Sequence, residues 1–165
     1  MDKAKSIELL NTAVAEELQA VNQYMYFHFH LDDQGYGPLS MLLKRTAIQE
    51  MGHIELLAER ILFLKGDVVM QAAAGVEKII EPEQILAKAA QMEEDGARSY
   101  NIAAMACGAN ADSVSKQLFE SLVQDEERHF DEFDKQLEKI KRFGPNYLAL
   151  QSMGAGEEQT GPPKA

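Results

Sequence analysis

The stretch Ala47-Ile48-Gln49-Glu50-Met51-Gly52-His53-Ile54-Glu55-Leu56, written AIQEMGHIEL, decides the fold. It lies inside a long helical pattern whose apolar stripe, stepped by alternating threes and fours, runs Leu43, Ala47, Glu50, Ile54, Leu57, Ile61 and Leu64. A glutamate therefore stands where a leucine belongs, and His53 follows one turn later on the same side. A helix that aims a carboxylate and an imidazole into its core face needs something there to receive them.

The same interruption occurs in every long segment. The first stripe reads Ile7, Leu10, Val14, Glu17, Val21, Tyr24 and His28; the third reads Leu86, Ala89, Glu93, Ala97, Tyr100, Ala104 and Cys107. The fourth reads Leu122, Glu126, His129, Phe133, Leu137 and Ile140, repeating the Glu-x-x-His spacing. Breakers at 32–38 (DDQGYGP), Gly66, Gly75, Pro82, 108–112 (GANAD) and Gly144-Pro145 delimit four helices over 3–32, 38–65, 82–107 and 112–143. Pro38 and Pro82 suit first helical positions, and Gly66 and Gly144 are read as C-terminal stops. A short fifth helix follows Pro145, through NYLAL.

The link from Asp67 to Glu81 can reach roughly 50 Å at ~3.3 Å per residue, and the second helix is about 42 Å long. It can therefore run the length of the bundle, which makes the fold an all-α four-helix bundle with one long crossover. In that topology the second and third helices are parallel. Glu17 lies 18 residues before Gly35, with Glu50 and His53 15 and 18 after it; Glu93 lies 17 before Asn110, with Glu126 and His129 16 and 19 after it. All six groups are thus level at mid-bundle. Residues 1–153 are read as one domain, and the Gly-, Pro- and charge-rich 154–165 (GAGEEQTGPPKA) as a flexible tail.

Four ionised carboxylates in a core are untenable alone, since each unpaired buried charge costs several kcal/mol. Two divalent cations balance Glu17, Glu50, Glu93 and Glu126, with His53 and His129 as neutral nitrogen donors. One Glu from each of two helices plus Glu-x-x-His from the other two is the arrangement known in ferritin-like dinuclear carboxylate proteins. Mixed carboxylate and imidazole ligands favour iron or manganese, of which iron is the reading taken, with Glu50 and Glu126 as bridging candidates. Tyr24, two turns beyond Glu17, is either a satisfied core tyrosine or a group that bonds a metal ligand or donates an electron. His28 and His30 lack a carboxylate at ligand spacing and are read as packing or interface residues.

Composition narrows the function classes. In 165 residues, 27 acidic side chains against 16 basic ones give a net charge of −11, which opposes nucleic-acid binding and suits attraction of cations. No signal-length or membrane-length apolar run is present, so a cytoplasmic, non-membrane protein is expected. The single cysteine, Cys107, is read as a small buried apolar residue, and no CxxC pair exists for a zinc-ribbon or rubredoxin-like module.

The motifs EELQAVNQY around Glu17, EMGH at 50–53, MEEDGA around Glu93, DEERH at 125–129 and AERILFLKG together resemble those of the bacterioferritins over roughly residues 3–150. The resemblance implies a hollow homo-oligomeric shell of twenty-four subunits that oxidises Fe²⁺ with O₂ or H₂O₂ at a two-iron centre and stores the ferric mineral. It matches Glu17, Glu50, His53, Glu93, Glu126 and His129 to the ferroxidase ligands. It also gives Met51 a role. By helix geometry Met51 lies ~100° from Glu50 and faces outward or toward a neighbour; in the family the matching methionine ligates a haem shared between two subunits. A small ferredoxin-type electron donor is a further expectation of the resemblance. Arg45 and Gln49 depart from it, standing where some members carry His and Asp that hold iron on the inner surface. The competing reading is a rubrerythrin-like di-iron peroxidase without mineral storage, against which the missing CxxC module counts. A third is a haem-binding helical assembly whose buried carboxylates serve oligomer specificity alone.

Overall fold

The computed structural model describes residues 1–153, so the expected tail at 154–165 lies outside the described residues. Five helices occur: α1 (Lys3–Asp33), α2 (Gly37–Phe63), α3 (Pro82–Ala109), α4 (Ser113–Phe143) and α5 (Pro145–Met153). They match the sequence reading within a few residues at every end. Asp2 caps α1 by accepting from the Ala4 amide at 3.0 Å. Gly35 turns α1 into α2 at φ +83°, a left-handed conformation glycine enters without a Cβ clash. At the end of α2 the left-handed residue is Lys65, φ +71°, rather than Gly66. Gly66 is required for a different reason: a Cβ there would lie 2.8 Å from the Ile7 side chain. Gly144, φ +56°, does act as the stop expected of it.

The crossover is a strap laid along α1. Asn11 accepts from the Val69 amide (2.9 Å) and donates to the Asp67 carbonyl (3.0 Å), while Gln23 makes the same double contact with the backbone of Glu77 (2.8 and 2.9 Å). Gln34 then donates to the Ile80 carbonyl at 2.9 Å. The strap therefore follows α1 from its first turns to its last, carrying the chain back so that α3 runs parallel to α2 and antiparallel to α1. These side-chain amides supply the ladder that an isolated extended segment lacks. Buried Gln23, 1% exposed, is satisfied on both its oxygen and its nitrogen.

The apolar core is split in two. One cluster gathers Tyr24, Phe27, Leu31, Leu39, Leu43, Leu86 and Phe133; the other gathers Leu10, Val14, Leu57, Ile61, Tyr100, Phe119 and Leu122. Between these plugs lies the layer of inward carboxylates and imidazoles. Close packing on both sides keeps that layer from relaxing outward to water. Cys107 is buried, as its sequence position suggested. His28 is buried too, with Nδ1 at 2.8 Å from the Ser40 hydroxyl, and His30 packs at a tilt against Tyr26. Among the described residues no helix is long and apolar enough to cross a membrane.

One polar knot fixes the end of the bundle remote from α5. Asp112, 2% exposed, caps α4 through the Ser115 amide (3.1 Å) and accepts from Arg60 of α2 at 2.6 Å, while Arg60 Nε donates to the Ser115 hydroxyl at 2.9 Å. Burial pushes the Asp112 carboxyl up, but the hydrogen bonds from Ser115, Ser6 and Arg60 outweigh it and hold the group at about 2. A carboxyl held below its ordinary value stabilises the fold above that value and stops doing so as pH falls through the folded one. Asp112→Ala is therefore expected to cost about 2–4 kcal/mol at neutral pH, from a lost cap and a stranded guanidinium. In urea unfolding the difference from wild type should shrink below pH 4, and equal midpoints at pH 7 would contradict this role.

Candidate metal centre

Each of the four long helices delivers one carboxylate to the middle layer. Glu17 of α1, Glu50 of α2, Glu93 of α3 and Glu126 of α4 are all at most 5% exposed, as are His53 and His129. They converge. His53 Nδ1 lies 3.0 Å from Glu17 Oε1, 2.8 Å from Glu50 Oε2 and 3.2 Å from Glu126 Oε1. His129 Nδ1 lies 3.0 Å from Glu50 Oε1 and 3.4 Å from Glu93 Oε2. The two imidazoles stack at 5.9 Å between ring centroids.

Hydrogen bonding does not account for this crowd. One N–H serves one acceptor well, whereas His53 Nδ1 faces three carboxylates. Both oxygens of Glu50, Glu93 Oε2, Glu126 Oε1 and both nitrogens of His129 are buried with no hydrogen-bond partner among the described residues, because the close approaches lack hydrogen-bond angles. Native interiors rarely strand so many polar atoms. Donor atoms about 3.0 Å apart are what cis ligands of an octahedral cation show when its bonds are about 2.1 Å. The donors sort into two sets, Glu17, Glu50, His53, Glu126 and Glu50, Glu93, Glu126, His129, each with ligand atoms within 4.8 Å of one another. Glu50 and Glu126 belong to both sets. The residues present therefore fit a pair of divalent cations sharing two carboxylates.

Electrostatics shows what the layer does without metal. Burial raises the Glu17 carboxyl to about 8 and Glu126 to about 9, and takes Glu93 to about 6. At Glu50 burial also pushes upward, but the close imidazoles of His129 and His53 outweigh it and hold it at about 2. Burial opposes charge on the imidazoles, yet the surrounding carboxylates win, raising His53 strongly and His129 to about 10. At pH 7 two protonated carboxyls, two carboxylates and two imidazolium rings leave the layer neutral. Two divalent cations on four carboxylates and two neutral imidazoles are neutral too, so loading must displace about four protons per subunit. Calorimetry of Zn²⁺ binding in two buffers of different ionisation enthalpy checks this. Affinity should fall steeply as pH drops, and release of fewer than about two protons would contradict the charge balance.

Two tyrosines frame the layer. Tyr24 Oη donates to Glu93 Oε1, and Tyr100 Oη donates to Glu17 Oε1. Burial, reinforced by the nearby carboxylates, pushes both phenols well above their ordinary range, so both remain donors. Periodicity placed Tyr100 on the core stripe but gave it no role; the signal that could have found it is the repeated seven-residue spacing, Glu17 to Tyr24 and Glu93 to Tyr100. Gly96 was also missed. A Cβ there would meet Glu126 Oε2 at 2.7 Å, so its absence makes room for a shared carboxylate. A side cavity of about 230 Å³ between α1 and α3, lined by Glu16, Lys88, Asp95, Tyr100 and Glu126, opens onto the layer.

The remaining positions singled out from the sequence lie off the layer. Met51 is on the outer face of α2, 49% exposed, one turn from exposed Ile48. Arg45 is exposed and pairs with Glu132. Gln49 is half-buried, its carbonyl oxygen fully so.

Comparison with known proteins agrees with this architecture. The family model for the ferritin-like domain matches residues 7–143. Bacterioferritin of Desulfovibrio desulfuricans is 37% identical over 89% of this chain and 82% of its own length, and that of Rhodobacter capsulatus 37% over 89% and 91%. The X-ray structure of the D. desulfuricans protein, which describes its diiron site in different catalytic states, superposes with a TM-score of 0.89 over 91% of this chain and 88% of that one, at 37% identity. The R. capsulatus structure, with a metal-free dinuclear site and its haem iron in a crystallographic special position, superposes at 0.87 over 92% and 94%, at 35% identity. With its bundle, its crossover and its buried Glu/His layer, the chain belongs to the bacterioferritins of the ferritin-like family.

Proposed function

We propose that this chain is an iron-storage ferroxidase, oxidising Fe²⁺ to Fe³⁺ at the mid-bundle layer and passing the product into a closed homo-oligomeric shell of twenty-four copies. The observation that carries the reading is the pair of overlapping donor sets, with Glu50 and Glu126 common to both. Fe²⁺ is the substrate. Glu17 and His53 hold one ion, Glu93 and His129 the other, and Glu50 and Glu126 lie between them. Tyr24 holds Glu93 Oε1 and leaves Oε2 facing His129, while Tyr100 donates to Glu17 Oε1, the oxygen that also faces His53, so each phenol fixes an outer carboxylate. The carboxylates lower the cost of the higher iron charge, and protons displaced on loading leave toward the α1/α3 cavity, where Glu16 accepts from Ser99 at 2.9 Å. When H₂O₂ is the oxidant it accepts two electrons, one from each Fe²⁺, and with two protons becomes two waters. The excess of 27 acidic over 16 basic residues raises the local Fe²⁺ concentration.

Haem fits a separate place. An exposed thioether at Met51, beside exposed Ile48 and with open space over Gly52, offers a soft ligand on an apolar face. Two copies related by a two-fold axis would present the Met51 pair to one haem iron, which suits the symmetric location reported for the R. capsulatus haem. Bound there, haem supplies one-electron transfer, fed by a small ferredoxin-type donor, for release of stored iron. A cytoplasmic location accords with this use.

Rapid mixing of metal-free protein with increasing Fe²⁺ in air tests the oxidation step. The fast phase should saturate near two Fe²⁺ per subunit and be followed by slower oxidation that continues far beyond that ratio. Oxidation that stops at two, with sustained peroxide turnover when reductant is added, would move the function to the rubrerythrin-like peroxidase.

A further inference from the structure

The metal layer is built twice, once by each hairpin. Glu17, Tyr24, Glu50 and His53 of α1 and α2 recur as Glu93, Tyr100, Glu126 and His129 of α3 and α4, at identical spacings within each helix. The hydrogen bonds repeat as well: Tyr24 reaches Glu93, and Tyr100 reaches Glu17. The residue preceding each Glu-x-x-His glutamate breaks the pattern, being Gln49 in one hairpin and Asp125 in the other.

Asp125 stands behind the imidazole of the opposite hairpin. Asp125 Oδ2 lies 3.3 Å from His53 Nε2, while its other oxygen takes Arg128 at 2.8 Å. Gln49 holds the corresponding sequence position in the other half, where its carbonyl oxygen and His129 Nε2 are both buried and both lack a hydrogen-bond partner among the described residues. A ligating imidazole commonly gives its second N–H to an outer acceptor, which fixes the ring and raises its basicity toward the metal. A carboxylate does this more strongly than a neutral amide, because it also offsets the positive charge the ring gains.

Resting on the reading of the layer as a dinuclear centre, we propose that Asp125 and Gln49 are positioning residues behind the two imidazoles, and that carboxylate against amide makes the Glu17–His53 half the tighter cation site and the Glu93–His129 half the weaker. The centre then fills in order. Outer-shell partners of this kind alter metal affinity by about 10–100-fold.

Anaerobic titration of the metal-free full-length protein with Co²⁺ alone, followed by its visible absorption bands and by calorimetry, tests this. Wild type should bind one Co²⁺ per subunit before the second, with affinities at least about 10-fold apart. Gln49→Glu, which keeps the side-chain length, should strengthen the second step about 10-fold and leave the first in place; Asp125→Asn should weaken the first by a similar factor. Melting temperature of each metal-free variant reports folding independently of the site. Two equal steps in wild type, or folded variants with unchanged isotherms, would overturn the inference while leaving the centre intact. No Co²⁺ uptake by wild type would overturn the dinuclear centre itself, and the inference with it.

Discussion

Glu93→Ala is expected to eliminate the fast phase of Fe²⁺ oxidation, slowing it at least about 100-fold, or about 2.7 kcal/mol in barrier. Glu93 contributes to one donor set and holds the Tyr24 hydroxyl, so its loss leaves His129 and the shared carboxylates short of a ligand on that side. The same change should barely affect folding. Loss of the Glu93 carboxylate lets a proton leave His129, whose charge burial opposes and whose carboxylate neighbours sustain, so the metal-free layer stays neutral. Thermal unfolding of the metal-free variant should stay within about 1 kcal/mol of wild type, the loss being chiefly one Tyr24 hydrogen bond. A purely structural carboxylate layer requires the opposite pair of results: oxidation kept and assembly or stability lost. Unchanged oxidation kinetics in a folded Glu93→Ala protein would remove Glu93 from the centre.

Met51→Leu is expected to abolish the visible absorbance of haem-reconstituted protein and to leave Fe²⁺ oxidation at the wild-type rate. Leucine matches methionine in volume, and at a half-exposed position the swap should change monomer stability by no more than about 0.5 kcal/mol. What disappears is the thioether, the soft donor proposed for the haem iron. Because Glu50 and Met51 are adjacent in sequence yet ~100° apart around the helix, one residue serves the interior and the next serves the exterior. Haem retained at normal stoichiometry in Met51→Leu would show that another side chain carries it.

The fold was legible because the centre violates a periodic rule. A lone glutamate in an apolar stripe is an anomaly, and Glu17, Glu50, Glu93 and Glu126 repeat it in four helices at matching heights from the turns. Pro38, Pro82 and the GANAD turn then fixed the helix ends to within a few residues. The long strap could be sized from its length, but the residues that seat it could not be foreseen. Asn11 and Gln23 read as ordinary polar positions until their amides are found on the strap backbone. Asp125 escaped for a related reason: it lies one step off the stripe, and the imidazole it approaches, His53, belongs to the other hairpin. Gly96 was invisible because what it provides is a space, filled by a carboxylate thirty residues downstream. Tyr100 was counted as packing, since a tyrosine on a stripe looks the same whether its hydroxyl meets a backbone carbonyl or a ligand. The assignment of Gly66 went astray because steric contact with Ile7, and not a left-handed turn, demands it.

Iron storage needs both the oxidising layer and an enclosed volume, and one measurement addresses them together. After aerobic loading with Fe²⁺ in large excess, iron content and particle mass are determined on the same size-exclusion peak, the mass by light scattering. A storage ferroxidase of this chain gives a particle near the mass of twenty-four 18.4 kDa subunits carrying far more than two irons per subunit. A small oligomer that holds two irons per subunit and no more would contradict storage, however well the centre binds them.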